Sequence, residues 1–153
     1  FNIEKTRHYK SIIAKESVLN TPNTFAFFMA SRVFAWVKKN GGVEAFSKKN
    51  LVKSNLLYDF IDNSDLFVNN VAKPCRSRMN IPFFIDKKKL GISDDKAYQI
   101  ESLFLSQANL QNLFNLKGHK SLGGMRVSLY NAMSLEGAEA LVNFMKDFER
   151  KHD

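Results

Sequence analysis

A chain of 153 residues, 44% hydrophobic and carrying fourteen Phe, has the material for one folded domain with its own core. Its net charge of +8 favours anionic partners, whether nucleic acid, an acidic membrane surface or phosphorylated small molecules, and does not choose among them. The single cysteine, Cys75, excludes an intramolecular disulfide and any metal site of paired cysteines, so the reducing cytoplasm is the simpler expectation.

The opening "FNIEKTRHYK" has neither an initiator Met nor the apolar run of a signal peptide, so the chain is expected to begin inside a larger gene product. Residues 1–19 show no sustained period and read as a segment cut from a neighbouring domain. In "NTPNTFAFFMASRVFAWVKKNGG", Thr21 is expected to cap a helix with Pro22 at its first position, and Gly41-Gly42 to stop it. Apolar residues occupy nearly every direction between Phe25 and Val37, which predicts a helix covered on more than one side. That stretch is broken by Arg32 and falls short of the roughly twenty residues of a membrane span, so no membrane crossing is expected.

A second helix is predicted from about Val43 to Ile61, with Phe46, Leu57, Phe60 and Ile61 in the core and Asp62-Asn63-Ser64 as its stop. Phe67 begins a short strand. Met79, Ile81, Phe83 and Ile85 then alternate with Asn80, Pro82 and Phe84, the period of a half-buried strand, and Pro82 predicts an edge or a bulge. "DKKK" at 86–89 reads as an exposed loop. Ser93 should cap the next helix, with Asp94 and Asp95 complementing the positive end of its dipole. A strand is expected at Leu113–Leu116, and another in which Arg126, Ser128 and Tyr130 face away from Val127 and Leu129. Ser134 should cap the last helix, with Leu141, Val142, Met145 and Phe148 as its apolar stripe. The expectation is three or four short strands with helices packed on them.

Two segments suggest binding. In "GHKSLGGMRVSLYNAM", His119, Lys120 and Arg126 surround Gly123-Gly124, a pattern that suits an anion, since Gly permits close backbone approach and Arg offers a planar fork. A glycine turn with solvated charges is the plainer alternative. The run lacks the spacing of a nucleotide-binding P-loop. In "LNTPNT", Asn20 and Thr21 precede a helix start, a geometry suited to phosphate, with a simple helix cap as the alternative. Arg76 and Arg78 in "CRSRMN" add positive charge, and His8 and His152 have no visible partner.

"NTPNTFAFF", "LLYDFIDNSD", "CRSRMNIPF", "LKGHKSLGGMRVSLYNAMSLEG" and "LVNFMKDFERKHD", in this order and spacing, closely resemble the C-terminal part of the phosphoserine aminotransferase family. The resemblance runs from about residue 16 to the end. It implies an α/β fold, that of the fold-type-I pyridoxal-phosphate transferases, of which this chain is the C-terminal part. It further implies that residues 1–20 end the large cofactor domain or connect to it, that 21–42 form an interdomain helix, and that 43–153 form a small domain of short, largely antiparallel strands covered by helices. The implied whole is a homodimeric enzyme that moves an amino group from glutamate to 3-phosphohydroxypyruvate in serine biosynthesis, with a related step in pyridoxal-phosphate biosynthesis.

By the same resemblance, Asn20 and Thr21 reach across the dimer to the phosphate of the partner's pyridoxal phosphate. Arg126 binds a substrate carboxylate, and His119 and Lys120 help to form the anionic substrate site. The family usually has Arg where this chain has Lys120, which keeps the charge and loses the fork. It usually has Pro where this chain has Asn23, a change expected to be neutral at the helix's second position. The Schiff-base lysine, the aromatic residue stacked on the cofactor and the aspartate at its ring nitrogen belong to the preceding large domain. No catalytic residue is therefore assigned here, and the chain alone is expected to be inactive. A basic RNA-binding module is the alternative from another class, although the stacked-aromatic strand signature is missing and the cations are scattered. A stable, inactive fragment is a third.

Overall fold

Among the described residues up to Gly42, the α-helices are α1 (Tyr9–Ile13) and α2 (Thr24–Lys39). The computed structural model describes Glu4, Thr6 and residues 8–152, so most of the opening "FNIEKTR" lies outside the described residues. These divide into two compact units, one ending at Gly42 and one beginning at Val43. The five-residue α1 arises where no element was predicted, and Glu16 and Ser17, both in the left-handed region, follow it.

The start of α2 differs from the expectation. Its N-cap is Asn23, whose Oδ1 accepts a hydrogen bond from the Ala26 N–H at 3.1 Å, and the helix begins at Thr24. Asn is a stronger cap than Thr, and the Asn23 side chain is the one that takes up a free N–H at the helix start. Asn23 is thus a cap and not a neutral second position. The expected burial of α2 on more than one side is not found either: none of its residues is buried, and Phe25, Phe27 and Phe34 are 72%, 70% and 71% exposed. An apolar circumference says what a helix needs around it, and supplies none of it.

Beyond Gly42, α3 (Gly42–Asp62) buries Phe46, Leu57 and Ile61 as its pattern predicts, and Phe60 packs against the core partly buried. Three strands follow the order β1-β2-β3, all antiparallel: β1 (Phe67–Val68), β2 (Asn80–Ile85) and β3 (Met125–Ser128). The register sets Phe67 opposite Ile85, Pro82 opposite Arg126 and Asn80 opposite Ser128. One sheet face, carrying Phe67, Ile81, Phe83, Ile85, Met125 and Val127, is buried, with residues of α5 (Asp94–Leu110) and α6 (Leu135–His152) in the same core. At its centre Phe104 meets Phe67, Phe83 and Phe148 edge to face, with ring centroids 5.5, 5.8 and 5.1 Å apart. Such contacts add about 0.5–1.5 kcal/mol to the burial of each ring. Ser93 caps α5 by accepting from the Lys96 N–H, and Ser134 accepts from the Gly137 N–H at the start of α6, both as predicted.

Three local expectations are corrected. Proline 82 lies in the central strand, not at an edge. It is tolerated because β1 is only two residues long: it ends opposite Phe84, and beyond it the Asn69 side-chain amide donates to the Pro82 carbonyl. The missing N–H therefore removes no bond from a ladder. "DKKK" is a short helix, α4 (Lys87–Leu90), because Asp86 accepts from the Lys88 and Lys89 N–H groups and Gly91 ends it at φ 63°. Leu113–Leu116 is not a strand: Asn112 and Asn115 sit at φ 61° and 62°, which interrupts extended backbone, and only a bridge from Lys117 to Met125 survives.

Candidate functional site

The sheet face opposite the core is half-exposed and carries Asn80, Pro82 and Phe84 on β2 beside Arg126 and Ser128 on β3. Alternation along β3 puts Met125 and Val127 into the core and so turns Arg126 outward. The Ser128 hydroxyl donates to Asn80 Oδ1 at 3.0 Å across the strands, which fixes the register next to Arg126. Arg126 Nε is buried and has no hydrogen-bond partner. A guanidinium nitrogen removed from water without an acceptor is costly, so this group is suited to an acceptor arriving from outside. Arg126 lines a cavity of about 510 Å³ together with Asn115, Leu129, Tyr130 and Met133.

Immediately before β3, residues 118–124 close a tight loop. The Gly118 N–H donates to the Gly124 carbonyl at 2.9 Å, and the Leu122 and Gly123 N–H groups both donate to the His119 carbonyl. A side chain at Gly118 would strike the Gly123 carbonyl oxygen at 2.1 Å, and one at Gly124 would strike the Phe84 ring at 2.3 Å. Close approach within the protein itself thus requires glycine at 118 and 124. The Ser121 N–H donates to His119 Nδ1 at 3.2 Å, with the Ser121 hydroxyl 2.7 Å away. Nδ1 therefore holds its lone pair, and the ring N–H is placed on Nε2.

His119 and Lys120, both exposed, line a second cavity of about 290 Å³ with Tyr98, Glu101 and Lys117. Burial raises the Glu101 carboxyl above the usual carboxylate range, against the opposing effects of a hydrogen bond with the Ile85 backbone and the charge of Lys87. The three cations that the sequence grouped around one glycine pair thus divide: His119 and Lys120 share one cavity, and Arg126 lines another. Asn20 and Thr21 are exposed and belong to the unit ending at Gly42. They stand just ahead of α2, where the Thr24 and Phe25 N–H groups lie outside the intrahelical ladder. An amide, a hydroxyl and free N–H groups at a helix start fit a phosphate.

Arg76, expected to add positive charge, is neutralised by a partner. It makes a bidentate pair with Asp62 at 2.7 and 2.8 Å and lies 4.5 Å over the Tyr58 ring, whose hydroxyl donates to the Ser77 carbonyl. Its guanidinium holds the Asp62 carboxyl below the ordinary value of 3.8, with a smaller effect from Lys73. Sequence reading also missed Asn50 and Lys53 on α3. Both are buried at positions three apart, and the only signal was a polar pair interrupting an apolar helix face. Among the described residues no cluster of His, Cys, Asp and Glu is arranged to hold a metal ion, and no helix is long and apolar enough to cross a membrane.

No family model matches the chain. It is 50% identical over 143 residues, 94% of its length, to a phosphoserine aminotransferase of Ralstonia nicotianae, and 48% identical over 136 residues to one of Pseudoalteromonas translucida. The chain spans only 35% of the length of each of these relatives. Among solved structures it matches phosphoserine aminotransferase from Bacillus circulans subsp. alkalophilus with a TM-score of 0.85 and 33% identity, covering 99% of this chain and 39% of that one. The pyridoxal-phosphate-bound enzyme from Trichomonas vaginalis matches with a TM-score of 0.78 and 36% identity over 90% of this chain and 37% of that one.

Proposed function

We propose that this chain, homologous over 94% of its length to the C-terminal part of phosphoserine aminotransferases, is that portion of such an enzyme. The whole protein then transfers an amino group from glutamate to 3-phosphohydroxypyruvate, giving 3-phosphoserine and 2-oxoglutarate, and serves a related step of pyridoxal-phosphate synthesis. Residues 1–20 end or adjoin the large cofactor domain, 21–42 supply the interdomain helix, and 43–153 are the small domain. The working unit is a cytoplasmic homodimer, with no role for nucleic acid or membrane.

Two features support this reading: near-50% identity along almost the whole chain, and the buried, unpartnered Arg126 Nε on the face turned away from the core. Arg126 takes the substrate carboxylate in a two-point, charge-assisted contact. His119 Nε2–H and the Lys120 ammonium donate to the substrate phosphate, and the tight 118–124 loop holds the His119 ring with its N–H outward. Asn20 and Thr21 hold the phosphate of the partner's pyridoxal phosphate, aided by the start of α2. When bound, that cofactor supplies the electron sink that lets an amino group pass between amino acid and oxo acid. This chain's share is to bind and orient two anionic substrates.

The test is turnover of the full-length protein with glutamate and 3-phosphohydroxypyruvate, read as 2-oxoglutarate formed. Turnover that requires added or retained pyridoxal phosphate is expected. Absence of turnover, combined with oligonucleotide binding that weakens steeply with salt, would favour the RNA-binding alternative.

A further inference from the structure

The connection from β3 to α6, residues 129–134, is held from beneath by α3. Lys53 is 3% exposed, and its ammonium donates to the carbonyls of Tyr130 and Met133 at 2.9 Å each and, more weakly, to that of Leu129 at 3.4 Å. No carboxylate shares the site among the described ion pairs. One turn earlier, Asn50, 5% exposed, donates through Nδ2 to Asn131 Oδ1 at 2.7 Å, and its own Oδ1 is buried without a partner. Four of five consecutive residues, 129–131 and 133, are therefore tied to two polar side chains on one face of α3.

Burying an ammonium is costly, and an apolar side chain of similar length often fills such a place with equal or better stability. An apolar replacement would, however, leave the Leu129, Tyr130 and Met133 carbonyls without their donor, and the chain between them would be free to turn. Convergence of these carbonyls on one point fixes the conformation of the connection. The same connection is a wall of the Arg126 cavity: Leu129, Tyr130 and Met133 line it, and Leu129 lies three residues beyond Arg126.

We infer that Lys53 and Asn50 are positioning residues for the Arg126 cavity: they hold the 129–133 wall in the one conformation in which Arg126 meets a carboxylate. They touch no substrate. The inference rests on the reading of Arg126 as the carboxylate-binding residue, and its test separates the two.

The probe is glutarate, a five-carbon dicarboxylate without amino or oxo group, titrated calorimetrically into the full-length, cofactor-loaded dimer. Measured beside melting temperatures are the wild type, Lys53→Met, Asn131→Ala, Arg126→Ala and the Lys53→Met/Arg126→Ala double variant. Lys53→Met should weaken glutarate about tenfold and Asn131→Ala about threefold, and in the Arg126→Ala background Lys53→Met should add less than about twofold, the non-additivity of residues acting through one another. A Lys53→Met effect that persists in full in that background means general loosening and overturns the inference. Wild-type affinity in both Lys53→Met and Asn131→Ala, with weak binding in Arg126→Ala, overturns the inference alone. Wild-type affinity in Arg126→Ala overturns the reading of Arg126 beneath it. If Lys53→Met does not fold, the exposed Asn131→Ala, alone and with Arg126→Ala, decides by the same criteria.

Discussion

Two charge-assisted hydrogen bonds from Arg126 to a substrate carboxylate would make its truncation cost about 2–4 kcal/mol, on the order of 30- to 1000-fold in kcat/KM. Since the side chain faces away from the core, Arg126→Ala in the full-length enzyme should lose that efficiency with little change in melting temperature. Arg126→Lys should restore only part, because an ammonium lacks the planar fork. Near-normal efficiency, or a loss that follows unfolding, would leave Arg126 with a structural role only. Asp62 has the opposite character, serving the fold and not the site. Its carboxyl titrates below 3.8, chiefly because Arg76 hydrogen-bonds to it, so its contribution is fully present above that value and is lost as pH falls through the lowered one. Asp62→Asn should destabilise by about 1 kcal/mol at pH 7, a modest figure for a partly exposed pair. Urea unfolding of variant and parent should converge in acid, and a difference that stays constant down to low pH would show that the pair's charge is irrelevant.

Among the elements, α2 has an observed cap at its start, and the proposed phosphate-binding residues stand just before it. Asn23 caps it through the Ala26 N–H, so Asn23→Ala should cost about 1 kcal/mol of helix stability, seen as a lower melting temperature. Asn20 and Thr21 make no such cap. Replacing both by Ala in the full-length dimer should raise the dissociation constant of pyridoxal phosphate, followed by cofactor absorbance during dialysis, and leave the melting temperature of the cofactor-free protein unchanged. An unaltered cofactor affinity would mean that these residues only lead the chain into the helix. The sequence placed the cap at Thr21 instead of Asn23, because Asn, Thr and Pro within four positions allow more than one cap. What decided the cap was which side chain reaches a free N–H in the folded chain: Asn23 Oδ1 accepts from Ala26.

For the molecule as a whole, the Phe104 cluster and the exposed α2 make contrasting statements. The unit beginning at Val43 has its own aromatic core, in which Phe104→Ala should cost about 3–5 kcal/mol and unfold the unit at a markedly lower denaturant concentration. Helix α2 has no buried residue. The chain alone, incubated with glutamate, 3-phosphohydroxypyruvate and pyridoxal phosphate, should produce no 2-oxoglutarate. Borohydride reduction followed by peptide mapping should find no single labelled lysine. Turnover with one specific lysine labelled would show that this chain carries chemistry that the proposed reading assigns to a preceding domain.

Much of the architecture was legible in the residues themselves. Period 2 in β2 and β3, the caps Ser93 and Ser134, and the apolar stripe of α6 are local patterns that dictate which side of an element seeks a core, and the fold honours them. The ordered blocks around "GGMR" pointed to the aminotransferase likeness for a similar reason, since side-chain identity at fixed spacing is written directly in the chain. Position in the sheet was not. Proline 82 proved central because β1 stops short of it, a fact about strand length in a different segment. Nor could spacing reveal that His119 and Arg126 line different cavities, or that Lys53 bonds carbonyls some 76 to 80 residues away. Such contacts depend on which residues the packing brings together, and backbone carbonyls carry no side-chain signature that a sequence could display.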